Sequence, residues 1–132
     1  MGRNRTFNEA EVVAHAAAAF CSTGYEGTGV DELLTAVGLH RGSLYKAFGS
    51  KRGLFVAALN SALEADPLGP DELDLALVAA LELAVRDSEV RDVLARLLDR
   101  IDDPAHCLGV RLLERAGINL TDNQSTGKGE IR

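Results

Sequence analysis

Arg41, Ser43, Tyr45 and Lys46 crowd one eight-residue stretch, RGSLYKAF, and Lys51 follows shortly after it. Guanidinium, ammonium and hydroxyl groups so close together are the side chains that bind phosphate oxygens and the hydrogen-bonding edges of bases. Only Leu44, Ala47 and Phe48 offer apolar contact. A helix built this way is held from behind by a few residues and presents its front to something outside. The same charges on an ordinary surface would simply be solvated, so the weight lies on their concentration and on the elements around them. Chemistry of other kinds finds little support. No nucleophile–base pair or phosphate loop stands out, and His15 and His106 have no second ligand at a suitable spacing, so no catalytic, metal or cofactor role is expected. Cys21 and Cys107 do not form a disulfide framework.

The formal net charge is −6, which taken alone disfavours a nucleic-acid partner. The charge is unevenly spread. Residues 1–60 hold six Lys/Arg against five Asp/Glu, while residues 61–132 hold eight against fifteen. The early basic residues gather at two places, Arg3 with Arg5, and Arg41, Lys46, Lys51 and Arg52. The local field at a docking face matters more than the total. The chain has no apolar run of membrane-spanning length and no signal-peptide stretch at its start, so the cytoplasm is the expected compartment.

The elements that must position these residues read as helices throughout. A hydrophobic fraction of 46%, rich in Ala and Leu and with 5% aromatics, joins apolar positions at three-four spacing. Thr6-Phe7-Asn8-Glu9 fits a capping box, Val12, Val13, Ala16, Ala17, Ala19 and Phe20 form a first apolar face, and Gly24 stops that helix. A second helix runs from about Val30 to Val37, with Thr28 as its cap and Leu33, Leu34 and Val37 inward. Gly38 makes a tight turn into a third, Arg41 to Phe48. Ser50 caps a fourth, Lys51 to about Ala65. After the Asp66–Pro70 break, Asp71 to Val85 returns to helix with Leu73, Leu77, Leu81 and Ala84 on one side. Ser88 caps a sixth helix whose stripe Val90, Val93, Leu94, Leu97, Leu98 and Ile101 serves either the core or an interface. Asp103-Pro104 opens a seventh, and residues 119–132 read as a disordered tail.

Two short helices joined by the Gly38 turn read as a helix-turn-helix. The longer string AAAAFCSTGYEGTGVDELLTAVGLHRGSLYKAFGSKRGLF resembles the DNA-binding domain of the TetR family of bacterial transcriptional regulators. The resemblance is carried by Phe20, Gly24-Tyr25, Thr28-Gly29-Val30, Gly38, Gly42-Ser43-Leu44-Tyr45, Phe48, Lys51 and Leu54. The sequence departs from the pattern at Leu34, where alanine is common, and at His40, where a serine or threonine usually caps. It departs again at Gly29, beside Thr28, in place of another hydroxyl residue.

This resemblance implies an all-α protein. Residues 1–50 would form a three-helix helix-turn-helix DNA-binding domain, and residues 51–118 a helical linker and short dimerisation or regulatory part. It implies a repressor that binds double-stranded DNA at a palindromic operator as a homodimer, with a small-molecule effector possible. Thr28, Arg41, Gly42, Ser43, Tyr45, Lys46 and Lys51 would form the DNA face, and Arg3 and Arg5 a minor-groove arm. After the fourth helix only about 70 residues remain, fewer than the family usually has. The chain then reads either as a compact member or as a shortened one, and the remaining helices leave room for a small effector cavity or none. The competing reading keeps the fold but makes it a protein-interaction module, or a heterodimer subunit that does not regulate alone.

Overall fold

The computed structural model describes residues 7–120, all of whose regular structure is helical. The helices are α1 (Glu9–Thr23), α2 (Val30–Val37), α3 (Arg41–Phe48), α4 (Lys51–Leu63), α5 (Pro70–Val78), α6 (Ser88–Leu98) and α7 (Pro104–Arg115). Arg3, Arg5, Thr6 and residues 121–132 lie outside the described residues, and with them the expected minor-groove arm, the Thr6 cap and most of the tail. The cap of α1 is Asn8, whose Oδ1 accepts from the amides of Ala10 (2.9 Å) and Glu11 (3.2 Å).

Local chemistry sets most other boundaries where expected. Gly38 takes the left-handed conformation (φ 74°, ψ 31°) and closes α2. Ser50 Oγ accepts from Gly53 N at 2.9 Å and opens α4. Pro104 sits in the first turn of α7 after Asp103. Three caps differ. Gly29, not Thr28, is the cap of α2. Pro70 joins the first turn of α5, one residue ahead of the expected start. Asp87 rather than Ser88 caps α6, because its carboxylate reaches Val90 N at 3.2 Å.

One core runs through both halves. Phe20 of α1, Leu33 of α2, Leu44 of α3 and Leu54, Phe55 and Leu59 of α4 are fully buried, and they are continuous with Leu75 of α5 and Val90 and Leu97 of α6. Helix α4 is the shared wall, packing on α1, α3, α5 and α6. The stripe on α6 therefore belongs to the core: Val90, Val93, Leu94 and Leu97 are buried within this one chain. That stripe is closed to a second protomer, since α4 and the end of α5 already cover it.

Helix α5 ends in a π-helical turn over Ala79–Leu83, in which Ala84 N donates to Ala79 O at 2.9 Å. The wider turn changes which face is inward. Leu75, Ala76, Val78, Ala79, Leu83 and Ala84 are buried, while Leu81 is 72% exposed. Of the expected stripe, Ala84 is buried and Leu73 and Leu77 are half-buried, but Leu81 points to solvent. In a segment apolar nearly all round, leucine spacing does not single out a face.

Helix α7 has no buried residue. Leu108 packs half-buried against the core, and charge fastens the helix to α5. Buried Asp74 receives Arg111 through Nε at 2.6 Å and Nη2 at 3.0 Å, and Arg115 Nη1 at 3.1 Å. Val110 and Leu112 face outward. Beside this fastening an open groove of about 780 Å³ runs between α1, α4 and α5 to Arg115, lined by small residues such as Ala14, Ala17, Ala58 and Ala62 and by the carboxylates of Glu64, Asp71, Glu72 and Asp74.

Candidate nucleic-acid interface

Helix α3 is fixed from one side only. Leu44 is its single buried residue, and Ala47, Phe48 and Ser43 are half-buried beside it. Arg41, Gly42, Tyr45 and Lys46 form the opposite, exposed arc, which follows from the i, i+4 pairing of 41 with 45 and 42 with 46. Ser43 lies at the edge of that arc. His40 makes no side-chain cap, so it leaves the first-turn amides of α3 to an outside acceptor.

The arc is held in a defined state. Arg41 Nη2 donates to Asp31 Oδ1 of α2 at 2.5 Å, and Arg41 Nη1 to the Tyr45 hydroxyl at 3.4 Å. The Arg41 side chain is 50% exposed and that of Asp31 91%. An ion pair so open to water is weak, so an incoming anion displaces Asp31 at little cost.

Helix α4 brings the next cation. Lys51 is its first residue, and its Nζ sits 4.3 Å above the centroid of the Tyr25 ring. That ring is itself packed, stacked on Phe20 (centroids 5.7 Å) and edge-on to Phe55 (5.4 Å). Burial is the main cause that pushes the Tyr25 hydroxyl pKa up, followed by the charge of Glu26. The first turn of α4 holds no acid, and a helix N-terminus with a lysine on it favours phosphate.

Two expected members of the basic face are elsewhere. Thr28 is fully buried. Its hydroxyl bonds to Gly24 O at 2.6 Å and contacts the Thr23 hydroxyl, so it braces the connector between α1 and α2. The first turn of α2 also carries Asp31 and Glu32, which oppose a phosphate there. Arg52, counted with the basic cluster, turns away: its Nε and Nη2 bond Asp87 at 2.6 and 2.9 Å, and Nη2 also bonds Glu89 at 2.9 Å. This pairing holds the Asp87 carboxyl down at about 2, against an ordinary 3.8. Arg52 therefore ties the start of α4 to the start of α6.

Gly53 is a residue that the sequence pattern does not single out. A Cβ on it would lie 1.9 Å from the carbonyl oxygen of Phe48. The last turn of α3 and the first turn of α4 meet there backbone to backbone. The only signal for it is a glycine near the start of an otherwise regular helix.

Residues 12–58 match the family described as bacterial regulatory proteins, tetR family. The chain is 33% identical over 118 residues to YezE of Bacillus subtilis (strain 168), named as an uncharacterized HTH-type transcriptional regulator, over 88% of this chain and 57% of the relative. It is 32% identical over 124 residues to BdcR of Escherichia coli (strain K12), named as an HTH-type transcriptional repressor, over 94% of this chain and 59% of the relative. The chain thus spans under two-thirds of the length of these relatives. No solved structure matches it.

Proposed function

Because this chain belongs, through residues 12–58, to the TetR family of bacterial regulatory proteins, we propose that it is a sequence-specific DNA-binding transcriptional regulator, a repressor acting in the cytoplasm. The observation that carries the reading is the one-sided exposure of α3, with Leu44 buried and Arg41, Gly42, Tyr45 and Lys46 outward. Helix α3 enters the major groove. Arg41 and Lys46 reach base edges, and Gly42 lets the backbone approach. The Tyr45 hydroxyl, Ser43 and Lys51 bind phosphates on either side, fixing register without carrying sequence information. Two copies related by a two-fold axis place two α3 helices about one DNA turn apart, ~34–36 Å, or a multiple of it, on a palindromic site. Val110 and Leu112 are exposed on the two flanks of α7, either side of the inward Arg111, and these apolar side chains support a homodimer contact along that helix.

The test is a salt titration of binding to a duplex enriched from a random pool and to a scrambled duplex. Lys51→Ala is expected to weaken both and to lower the salt slope by about 1 per subunit. Arg41→Ala is expected to cost ~1–3 kcal/mol on the enriched duplex and to relax preference at one base pair of each half-site. If neither substitution alters affinity for any DNA, the exposed face of α3 serves another partner.

A further inference from the structure

The π-helical turn at the end of α5 carries a carboxylate that no capping rule explains. Glu82 Oε2 accepts from the backbone amide of Tyr25 at 3.1 Å, and Glu82 Oε1 from that of Glu26 at 2.9 Å. Two successive amides of the connector between α1 and α2 thus converge on one acid from the other half of the chain. Such charge-assisted bonds are stronger than neutral ones. The approach is so close that a Cβ on Gly24 would lie 2.7 Å from Glu82 Oε2, so only a glycine leaves the carboxylate its place. The connector held there delivers the Tyr25 ring, and that ring carries the Lys51 ammonium at 4.3 Å.

We propose that Glu82 is a positioning residue for DNA binding: by holding the amides of Tyr25 and Glu26 it seats the Tyr25 ring, and through that ring it aims Lys51 at the DNA backbone. The assignment rests on the DNA-binding reading above. Glu82 touches no DNA itself. It acts across the boundary between the two halves, beside the second tie that Arg52 makes to Asp87 and Glu89. When Glu82 is lost, two amides lose their acceptor, the connector shifts, and Lys51 keeps its charge but not its place.

The experiment uses the full chain and the enriched duplex over a salt series, with Glu82→Ala and Glu82→Gln each made alone and combined with Lys51→Ala. Glu82→Ala is expected to weaken binding roughly three- to tenfold and to lower the salt slope by about 1 per subunit, as Lys51→Ala does. Added to Lys51→Ala, it is expected to cause little further loss, because both remove the same contact. Glu82→Gln keeps the shape and one accepting oxygen and is expected to fall between. It decides the matter if the alanine variant does not fold. Unchanged affinity and slope in a folded Glu82 variant, with Lys51→Ala still weakened, overturns the proposal, as do fully additive losses. If the unsubstituted chain binds no duplex, the DNA-binding reading falls and takes this one with it; failure of the Glu82 variants alone removes only this one.

Discussion

Replacing Gly53 by alanine sets two effects of opposite sign against each other. By helix propensity, alanine stabilises by about 1 kcal/mol over glycine. By packing, the new methyl lands 1.9 Å from Phe48 O and 3.0 Å from Phe48 C. Ordinary contact begins at 3.4 Å, so the two backbones must separate by about 1.5 Å, and neither is the free end of a flexible side chain. Forced expansion of a close-packed contact costs ~1–3 kcal/mol, so a net loss of stability is expected, with a melting temperature lower by several degrees. The effect on DNA binding is sharper. Phe48 ends the helix that carries Tyr45 and Lys46, and a displacement of that size exceeds the tolerance of a hydrogen bond to a base edge. Breaking one such bond costs ~1–3 kcal/mol, so affinity for the enriched duplex is expected to fall roughly five- to 150-fold. Affinity for a scrambled duplex, which depends on long flexible arms reaching phosphates, is expected to change little. Thermal denaturation and fluorescence anisotropy on both duplexes read the two effects separately. A Gly53→Ala chain that melts higher, and binds the enriched duplex within twofold of the original, would refute the reasoning.

The placement of apolar residues on α6 and α7 predicts a contrast. Leu94→Ala is expected to cost ~2–5 kcal/mol in urea denaturation without altering assembly, whereas Val110→Glu with Leu112→Glu is expected to yield a monomer of unchanged helicity in sedimentation. The tie between Arg52 and Asp87 predicts a window of acid sensitivity. Asp87 has a lowered pKa in the folded chain, so its contribution to stability is complete above about pH 4 and is lost as pH falls toward 2. The difference in urea midpoint between the original chain and Arg52→Ala is expected to narrow across that interval, and a difference that stays constant would count against the tie.

The helix-turn-helix is legible in the sequence because several of its boundaries are set by local causes, the Gly24 stop, the Gly38 turn and the Ser50 cap, and because the single inward Leu44 orients α3. The outward arc of α3 follows from the same spacing. Thr28 misleads because a threonine two residues before a helix reads as a cap, whereas its burial depends on how the connector folds back onto α1. Arg52 misleads for a similar reason. Beside Lys51 it looks like part of one basic patch, but its partners lie 35 and 37 residues away. The π-helical turn leaves no mark in the leucine pattern, and so the inward face of α5 and the reach of Glu82 are both hidden. Ties between the two halves are set by tertiary distance, which periodicity does not encode.

Within a single protomer, the way α7 is fastened gives it a thermal behaviour unlike that of the rest of the molecule. Undocking a helix that buries no residue completely exposes little apolar surface, so it carries a small heat-capacity change. Besides the Arg115 bond to Cys21 O and the half-buried contact of Leu108, what it must break is the Asp74 pair, and the dehydration cost of such pairs eases as temperature rises. The free energy of releasing α7 therefore stays nearly flat from cold to warm, while that of the core under α4 follows a steep dome. Near the top of the dome the two are far apart, and amides of α7 exchange with solvent by local opening long before those of α4. Close to melting the two energies converge, and α7 leaves together with everything else.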